Sequence, residues 1–517
     1  MRTWRRAPLA AAAGVALLVA GSACTPEDEP DGSQDSPRPL PTAFESELPP
    51  GVGGEPLRHL HGPGGEGPDI LDDEMGVRIS AVGDAFLVSS NSEERHLLLG
   101  AEDGRTLWRG RQHIQRFGLD ADGSQVLIAE GRDGGTEVIG DDGETVWHGT
   151  GGRTSFVGGV VVRRPADWSA GEPYGDYTVR APGGAKLWEY TFEAPPEDAG
   201  EPDGSGSEGS GNGAADDGGD PDRNGVPVAA RDGVLLLDDG QGLLQARGIG
   251  EEGAGELLWS IAGDDPALAG GTDVQRPRPQ VIGSYEIPSG DEGGETAAPE
   301  EGTGAPQEDR SASPEPGTDD SPSSAAPSPE GTAAPSGGEG PGDEPARTAT
   351  LVRWTVPEEP SVLSLHDLHS GELLWSVAEP GANPPGDEFA PPPLQGALYE
   401  RDTGTVLLPQ ATGETPLIAV GLEAGEIRWE FEDEFEQAIS PALAMNGYIY
   451  GDARGTGDTS GAQVVLDADD KNVAAEGLGA YVEAATAEGY SIVVSDRQRF
   501  VFPPADAPEG EETSPTG

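Results

Sequence analysis

One short pattern, Gly-x-x-x-Trp, recurs along this chain and constrains its fold more than any other feature. Six copies are read directly: Gly104 with Trp108 (GRTLW), Gly143 with Trp147 (GETVW), Gly184 with Trp188 (GAKLW), Gly255 with Trp259 (GELLW), Gly371 with Trp375 (GELLW) and Gly425 with Trp429 (GEIRW). Each follows an apolar run and then an acidic or Gly-rich turn, the order expected of strand, tight turn and next strand. The chain therefore reads as a β repeat array. Trp108, Trp147 and Trp188 stand roughly forty residues apart, the length of one such unit.

Two stretches interrupt that period. Residues 193–225 and 289–345 are built from Gly, Ser, Pro, Asp, Glu and Ala with almost no apolar side chain, so they read as disordered acidic insertions. With them removed the period survives through Trp259, Trp375 and Trp429. Beyond Trp429 a seventh unit is degenerate: its strands include Tyr448-Ile449-Tyr450 and Val464-Val465-Leu466, but Lys471 takes the Gly place and Ala475 the Trp place. An eighth, with Ile492-Val493-Val494 and Phe500-Val501-Phe502, carries no Trp. Units of three or four short strands cannot bury both faces alone, and radial closure solves this by stacking each unit between two neighbours. The expectation is an all-β propeller over residues 75–503 with eight blades, seven being the other count the strands allow.

LHDLHSGELLW at 365–375 and VLDADDK at 465–471 resemble the repeat of pyrroloquinoline quinone (PQQ)-type propellers, A-x-D-x-x-T-G-x-x-x-W. That resemblance implies that each Trp packs against the Gly turn of an adjoining blade, as a large aromatic repeated once per unit would. It also raises a redox reading, because quinone-dependent dehydrogenases of this fold hold PQQ with Ca²⁺ through acidic and amide ligands, an Asp base and, in many cases, a vicinal Cys pair. No Cys pair exists here, and no acidic residue stands out among so many turn carboxylates.

Composition narrows the function further. The 94 Asp and Glu against 31 Lys and Arg give a net charge of −63, a field that repels phosphate backbones, so nucleic-acid binding is not expected. Lys186 and Lys471 are the two lysines among the basic residues, a usage that resembles the codon bias of a high-GC actinobacterium.

At the amino terminus, Arg2, Arg5 and Arg6 precede an apolar run over residues 7–21, too short to span a bilayer comfortably and right for a signal-peptide core. It ends in Gly21-Ser22-Ala23-Cys24, which resembles the lipobox of bacterial lipoproteins, with Gly21 where that family usually carries Leu. The resemblance implies diacylation of Cys24, removal of residues 1–23, and anchoring at the outer face of the cell membrane. The other reading is an ordinary cleavage site followed by a cysteine. Because Cys24 is the single cysteine, the globular part has no disulfide, cysteine zinc site or cysteine nucleophile and must draw its stability from packing. Residues 24–74, rich in Pro, Gly and acid, read as a disordered tether, and 504–517 as a disordered tail.

Other candidate chemistry is sparse. His59 and His61 form an H-x-H pair without a third ligand nearby. Residues 120–124 look like a calcium loop, but an EF-hand needs Glu at its twelfth position and Gly131 stands there, so a hairpin turn is expected. His366 and His369 flank the Trp375 turn and should diverge as a satisfied surface pair. No G-x-S-x-G, P-loop or H-E-x-x-H motif occurs. The expected function is a lipid-anchored, non-catalytic binding or scaffold module, without a cofactor and with an envelope protein as partner, resembling the non-catalytic propeller lipoproteins of Gram-negative envelopes. The alternative is an exported quinoprotein oxidoreductase using PQQ with Ca²⁺.

Overall fold

Runs such as Val234-Leu235-Leu236-Leu237 are apolar without alternation, which a strand tolerates only where both of its faces are covered. A computed structural model of the chain shows what covers them. It describes residues 43–60, 69–73, 75–92, 94–195, 223–250, 253–268, 277–287, 347–385, 397–410, 417–431, 439–453 and 463–505, all within one unit, Thr42–Gly517. Every regular element among them is a strand.

A short strand, β1 (Arg58–His59), comes first. Blade 1 is β2 (Val77–Val82), β3 (Ala85–Ser90), β4 (His96–Gly100) and β5 (Thr106–Gly110); blade 2 is β6 (Ile114–Leu119), β7 (Gln125–Glu130), β8 (Thr136–Ile139) and β9 (Thr145–Gly149). Blade 3 is β10 (Thr154–Val157), β11 (Val160–Arg163), β12 (Gly175–Arg180) and β13 (Lys186–Phe192); blade 4 is β14 (Val226–Arg231), β15 (Val234–Asp238), β16 (Leu243–Gly248) and β17 (Leu257–Ala262). Blade 5 is β18 (Arg278–Ile287), β19 (Arg347–Thr355), β20 (Val362–Asp367) and β21 (Leu373–Ala378); blade 6 is β22 (Leu398–Glu400), β23 (Thr405–Leu408), β24 (Ile418–Gly421) and β25 (Ile427–Glu430). Blade 7 is β26 (Ile439–Met445), β27 (Tyr448–Ala453), β28 (Gln463–Asp467) and β29 (Val473–Glu476). Blade 8 combines β30 (Ala480–Ala485), β31 (Ser491–Ser495) and β32 (Gln498–Phe502) with β1, in the order β1-β32-β31-β30.

This is an eight-bladed antiparallel β-propeller, and its packing closes on itself. A hydrophobic cluster lies at each seam, including the last, where Ala484, Ile492 and Val501 of blade 8 meet Ile79 and Phe86 of blade 1. Within β15, Leu235 and Leu237 face blade 3 while Val234 and Leu236 face blade 5, so the unbroken apolar run serves two seams. Each buried Leu or Val contributes about 1.5–3 kcal/mol.

The Trp place is defined by register. In blades 1 to 6 the Trp faces Leu98, Val138, Val179, Ala246, Leu365 or Ala419, and a β-bulge follows at once. Blade 7 repeats this bulge with Ala475 facing Val465, and Lys471 in the turn adopts φ 64, close to the φ 74 of Gly371. A β-carbon added at Gly255, Gly371 or Gly425 would meet the ring of Trp188, Trp259 or Trp375 from the preceding blade. The indole N–H of Trp259 donates to Leu368 O (2.8 Å), that of Trp375 to Leu422 O (2.7 Å) and that of Trp429 to Ala468 O (2.9 Å). Each acceptor lies three residues before the turn Gly, or before Lys471 in blade 7.

Docking is not uniform. A β-carbon at Gly110 or Gly149 would meet Trp108 or Trp147 of the same strand, whereas Gly143 lies closest to the Leu107 backbone and Gly184 has nothing within 4 Å. The other four Trp residues have Tyr190, Ile261, Val377 and Phe431 two positions on, and only a glycine there lets the indole lie flat on its own strand.

The ring is joined by β1, in antiparallel register Arg58↔Val501 and His59↔Phe500. Arg58 and His59, in the stretch expected as tether, thus form the outer strand of the last blade, so the propeller takes in residues before position 75. Arg58 also stands in for the Trp that blade 8 lacks. Its guanidinium lies against Gly104 and donates to Glu102 O (2.7 Å) and to Ala101 O, the carbonyl three residues before that Gly. In the seam between blades 7 and 8, where Ala475 leaves space, Phe44, Leu48 and Val52 pack in, and Phe44 meets Phe500 and Phe502 edge-on at 5.4 and 5.2 Å. The expected signal peptide, Cys24, the first part of the tether, most of the 193–225 insertion, all of 289–345 and all but the first two residues of the tail lie outside the described residues.

Chemical denaturation should rank these contacts. Trp259→Ala should cost about 3–5 kcal/mol and Arg58→Ala about 1–3 kcal/mol, while Trp147→Ala should cost less than Trp259→Ala. An unchanged urea midpoint for Arg58→Ala would remove its role in closure.

Candidate functional site

Two faces of the ring differ in what they carry. The Gly-x-x-x-Trp turns and the turns between first and second strands share one face, where Ala101 N–H donates to Asp84 O (3.1 Å). The opposite face carries the links between blades and the turns between second and third strands. On that link face, between blades 1 and 2, lies a cavity of about 710 Å³. It is lined by Arg95, Arg109, Arg111 and Arg132, with His96 and His113.

Each lining element is fixed locally. Link 111–113 is held by Gln112, whose Oε1 accepts the Arg111 backbone N–H (2.9 Å) and whose Nε2 donates to Glu137 Oε2 (2.9 Å). Turn 131–135 is tied by Gly131 N–H to Gly135 O (2.9 Å) and by Gly135 N–H to Asp133 Oδ1 (3.1 Å). Glu130 N–H donates to His113 O (2.9 Å), which joins link to strand. Arg95 pairs with Asp73 at 2.6 Å. Arg109, Arg111 and Arg132 form no side-chain hydrogen bond or ion pair with any described residue. The carboxylates in the lining are Asp69 and Glu130. Four of the 31 basic residues of a chain with net charge −63 therefore meet at one cavity.

His96 Nδ1 lies 2.8 Å from Ser89 Oγ. These two residues are directly opposed in β3 and β4, both are buried, and Ser89 is not part of the cavity lining. The pair is a cross-strand hydrogen bond.

The turn face is acidic. Asp84 lies near Glu488 of blade 8 and Asp141 of blade 2. Burial first, then the Glu488 and Asp141 charges, push its carboxyl from 3.8 up to about 6.

The residues singled out in the sequence are placed as follows. His59 stacks on Phe500 (4.7 Å) with Nε2 2.8 Å from Gln498 Oε1, so it packs in the closing blade; His61 lies outside the described residues. Residues 120–124 form the β6–β7 hairpin turn, with Asp120 N–H donating to Ser124 O (2.8 Å). His366 and His369 do diverge, but they are not a surface pair. His366 is 2% exposed behind Trp259, hydrogen-bonded to Ser364 Oγ (2.8 Å), and burial pushes it down to about 4; His369 alone is exposed. The sequence reading missed the cavity arginines. Its available signal was the density of Arg95, Arg105, Arg109, Arg111, Arg116 and Arg132 within an otherwise acidic chain.

A PQQ–Ca²⁺ group would need acidic and amide donors converging on one point. Among the described residues no group of three or more His, Cys, Asp or Glu is placed to hold a metal ion, and the single cysteine is Cys24.

No family profile matches the sequence, and no curated protein matches it. Solved structures similar to the chain include BamB from Moraxella catarrhalis, 12% identical, covering 82% of this chain and 96% of that one with a TM-score of 0.37. Sqt1 from Saccharomyces cerevisiae is 10% identical, covering 83% and 97%, with a TM-score of 0.38. Quinohemoprotein alcohol dehydrogenase from Comamonas testosteroni is 13% identical, covering 86% and 76%, with a TM-score of 0.37. The ring itself is established by the strand pairing and seam packing of this chain.

The raised Asp84 has a consequence for stability. A carboxyl whose folded value lies above its unfolded value favours the fold at pH below about 3.8, and that contribution is lost as pH rises through about 6. Asp84→Asn should therefore raise the melting temperature at pH 8 and leave it unchanged at pH 3.5. Equal effects at both values would show that the fold does not raise the Asp84 carboxyl.

Proposed function

We propose that this chain is an exported propeller, anchored to the outer face of the cell membrane by lipidated Cys24, that acts as a non-catalytic binding or scaffold module in the cell envelope. The observation that carries the binding role is the cleft between blades 1 and 2, where three arginines without partners among the described residues line a cavity large enough for a small ligand or a partner's side chains. The arrangement offers donors and positive charge, which recognise and orient.

The anchored location is supported by the N-terminal residues. Arg2, Arg5 and Arg6, the apolar run and Ser22-Ala23-Cys24 have the order that export and acylation require. Anchoring would keep the ring at the membrane surface, where its partner, an envelope protein, meets the link face. Loops that differ from blade to blade, and not the shared Gly and Trp positions, are where such contacts form on a repeat ring.

Cys24→Ala should move the protein from the membrane fraction to the medium, followed by immunoblot of fractionated cells. Retention in the membrane would refute the lipid anchor. A photo-cross-linker at position 132 should capture one discrete envelope protein, lost when Arg111 is replaced by Glu; indiscriminate labelling would count against a specific module.

A further inference from the structure

The cleft between blades 1 and 2 gathers four arginines of this acidic chain. Some buried or half-buried arginines pair with carboxylates, Arg353 with Glu379 at 2.6 Å, Arg499 with Glu483 at 2.6 Å and Arg428 with Asp469, while Arg58 and Arg247 donate to backbone carbonyls. Arg109, Arg111 and Arg132 are exposed and form no such pair among the described residues, and they line one cavity from three separate elements: the end of β5, the 111–113 link and the 131–135 turn. Like charges so gathered repel one another, and the backbone that carries them is pinned by Gln112 and Asp133. A multivalent anion relieves that repulsion.

We propose that the cleft binds a phosphate ester. This rests on reading the cleft as the recognition site of the module. A guanidinium presents two parallel N–H donors that match one edge of an oxyanion. A carboxylate has two oxygens and is satisfied by a single such fork, whereas a tetrahedral phosphate group offers enough oxygens for forks arriving from three directions. Volume separates an ester from the free ion: about 710 Å³ is far more than one phosphate group fills and falls in the usual range for organic ligands. The apolar residues of the lining, Ile70 and Leu97, are themselves packed in the cluster between blades 8 and 1, so the organic part rests mainly on the polar rim. The phosphate chemistry is shared by soluble esters and by lipid headgroups.

Two arms separate those sources, using the full chain with Cys24→Ala so that no acyl group of its own binds membranes. In the first, glycerol 3-phosphate is titrated calorimetrically, with malonate as the carboxylate control. In the second, the protein is sedimented with phosphatidylcholine vesicles with or without phosphatidate. Arg111→Glu and Arg132→Glu should each weaken binding at least about tenfold, and Arg111→Gln should do so more mildly. Arg105→Glu, which removes a side chain paired with Asp103 outside the cleft, should leave it unchanged. Melting temperatures should stay the same for the cleft variants, whose side chains have no partner to lose. Saturable glycerol 3-phosphate binding with this variant pattern supports a soluble ester, and phosphatidate-dependent sedimentation with the same pattern supports a lipid headgroup. Absence of binding in both arms, malonate binding as tightly as glycerol 3-phosphate, or affinity unchanged by the cleft variants would overturn the proposal. If the cleft variants abolish cross-linking to the envelope partner while no phosphate binds, the ester inference falls and the binding-module reading stands.

Discussion

Four seams of the ring share one contact, with variations: a donor side chain from the outer strand of one blade reaches the carbonyl three residues before the turn Gly, or Lys471, of the next. Trp259, Trp375 and Trp429 make it with indole N–H groups to Leu368, Leu422 and Ala468. Arg58 makes it to Ala101 with a guanidinium. The exchange has a physical reason, because β1 is only two residues long and carries no apolar run that could seat an indole. A guanidinium replaces buried area by several charge-assisted hydrogen bonds, here to the carbonyls of Gly100, Ala101 and Glu102. At the other side of the closing blade, Ala475 leaves room that Phe44, Leu48 and Val52 fill. Both departures from the repeat therefore lie where residues 44–59 join the last blade to its neighbours.

Blades 1 and 2 depart in a different way. Gly110 and Gly149 let Trp108 and Trp147 lie back on their own strands, and these rings do not reproduce the docking seen at Gly255, Gly371 and Gly425. The seam between blades 1 and 2 is still sealed in its interior by Leu87, Leu98, Leu127 and Ile139. Above that apolar layer, on the link face, lies the arginine-lined cleft. Shared residues hold the ring, and a place where the sharing lapses holds the candidate site.

Much of this was legible in the sequence because it is local. Turn chemistry and apolar runs identify the strands, and the period counts the blades. The places of Lys471 and Ala475 follow from alignment with intact copies, and the left-handed φ of Lys471 shows that the turn survives the loss of its glycine. Arg58 was illegible for the opposite reason. It sits in a Pro- and Gly-rich acidic stretch that reads as tether, and its strand partner, Val501, lies at the far end of the chain. His366 looked exposed because its burial is supplied by Trp259 of the preceding blade. The cleft likewise combines residues from β4, β5, the 111–113 link and the 131–135 turn, whose convergence only the fold reveals.

The central claim is that a propeller of eight blades is closed by its own N-terminal segment. Hydrogen–deuterium exchange, resolved by peptide, on the full chain and on a chain lacking residues 43–60 tests it most directly. The account predicts that the deletion exposes β30, β31 and β32, together with the 100–104 turn of blade 1, to rapid exchange, while blades 3 to 6 keep most of their protection. Unchanged protection of β32 and the 100–104 turn would contradict it.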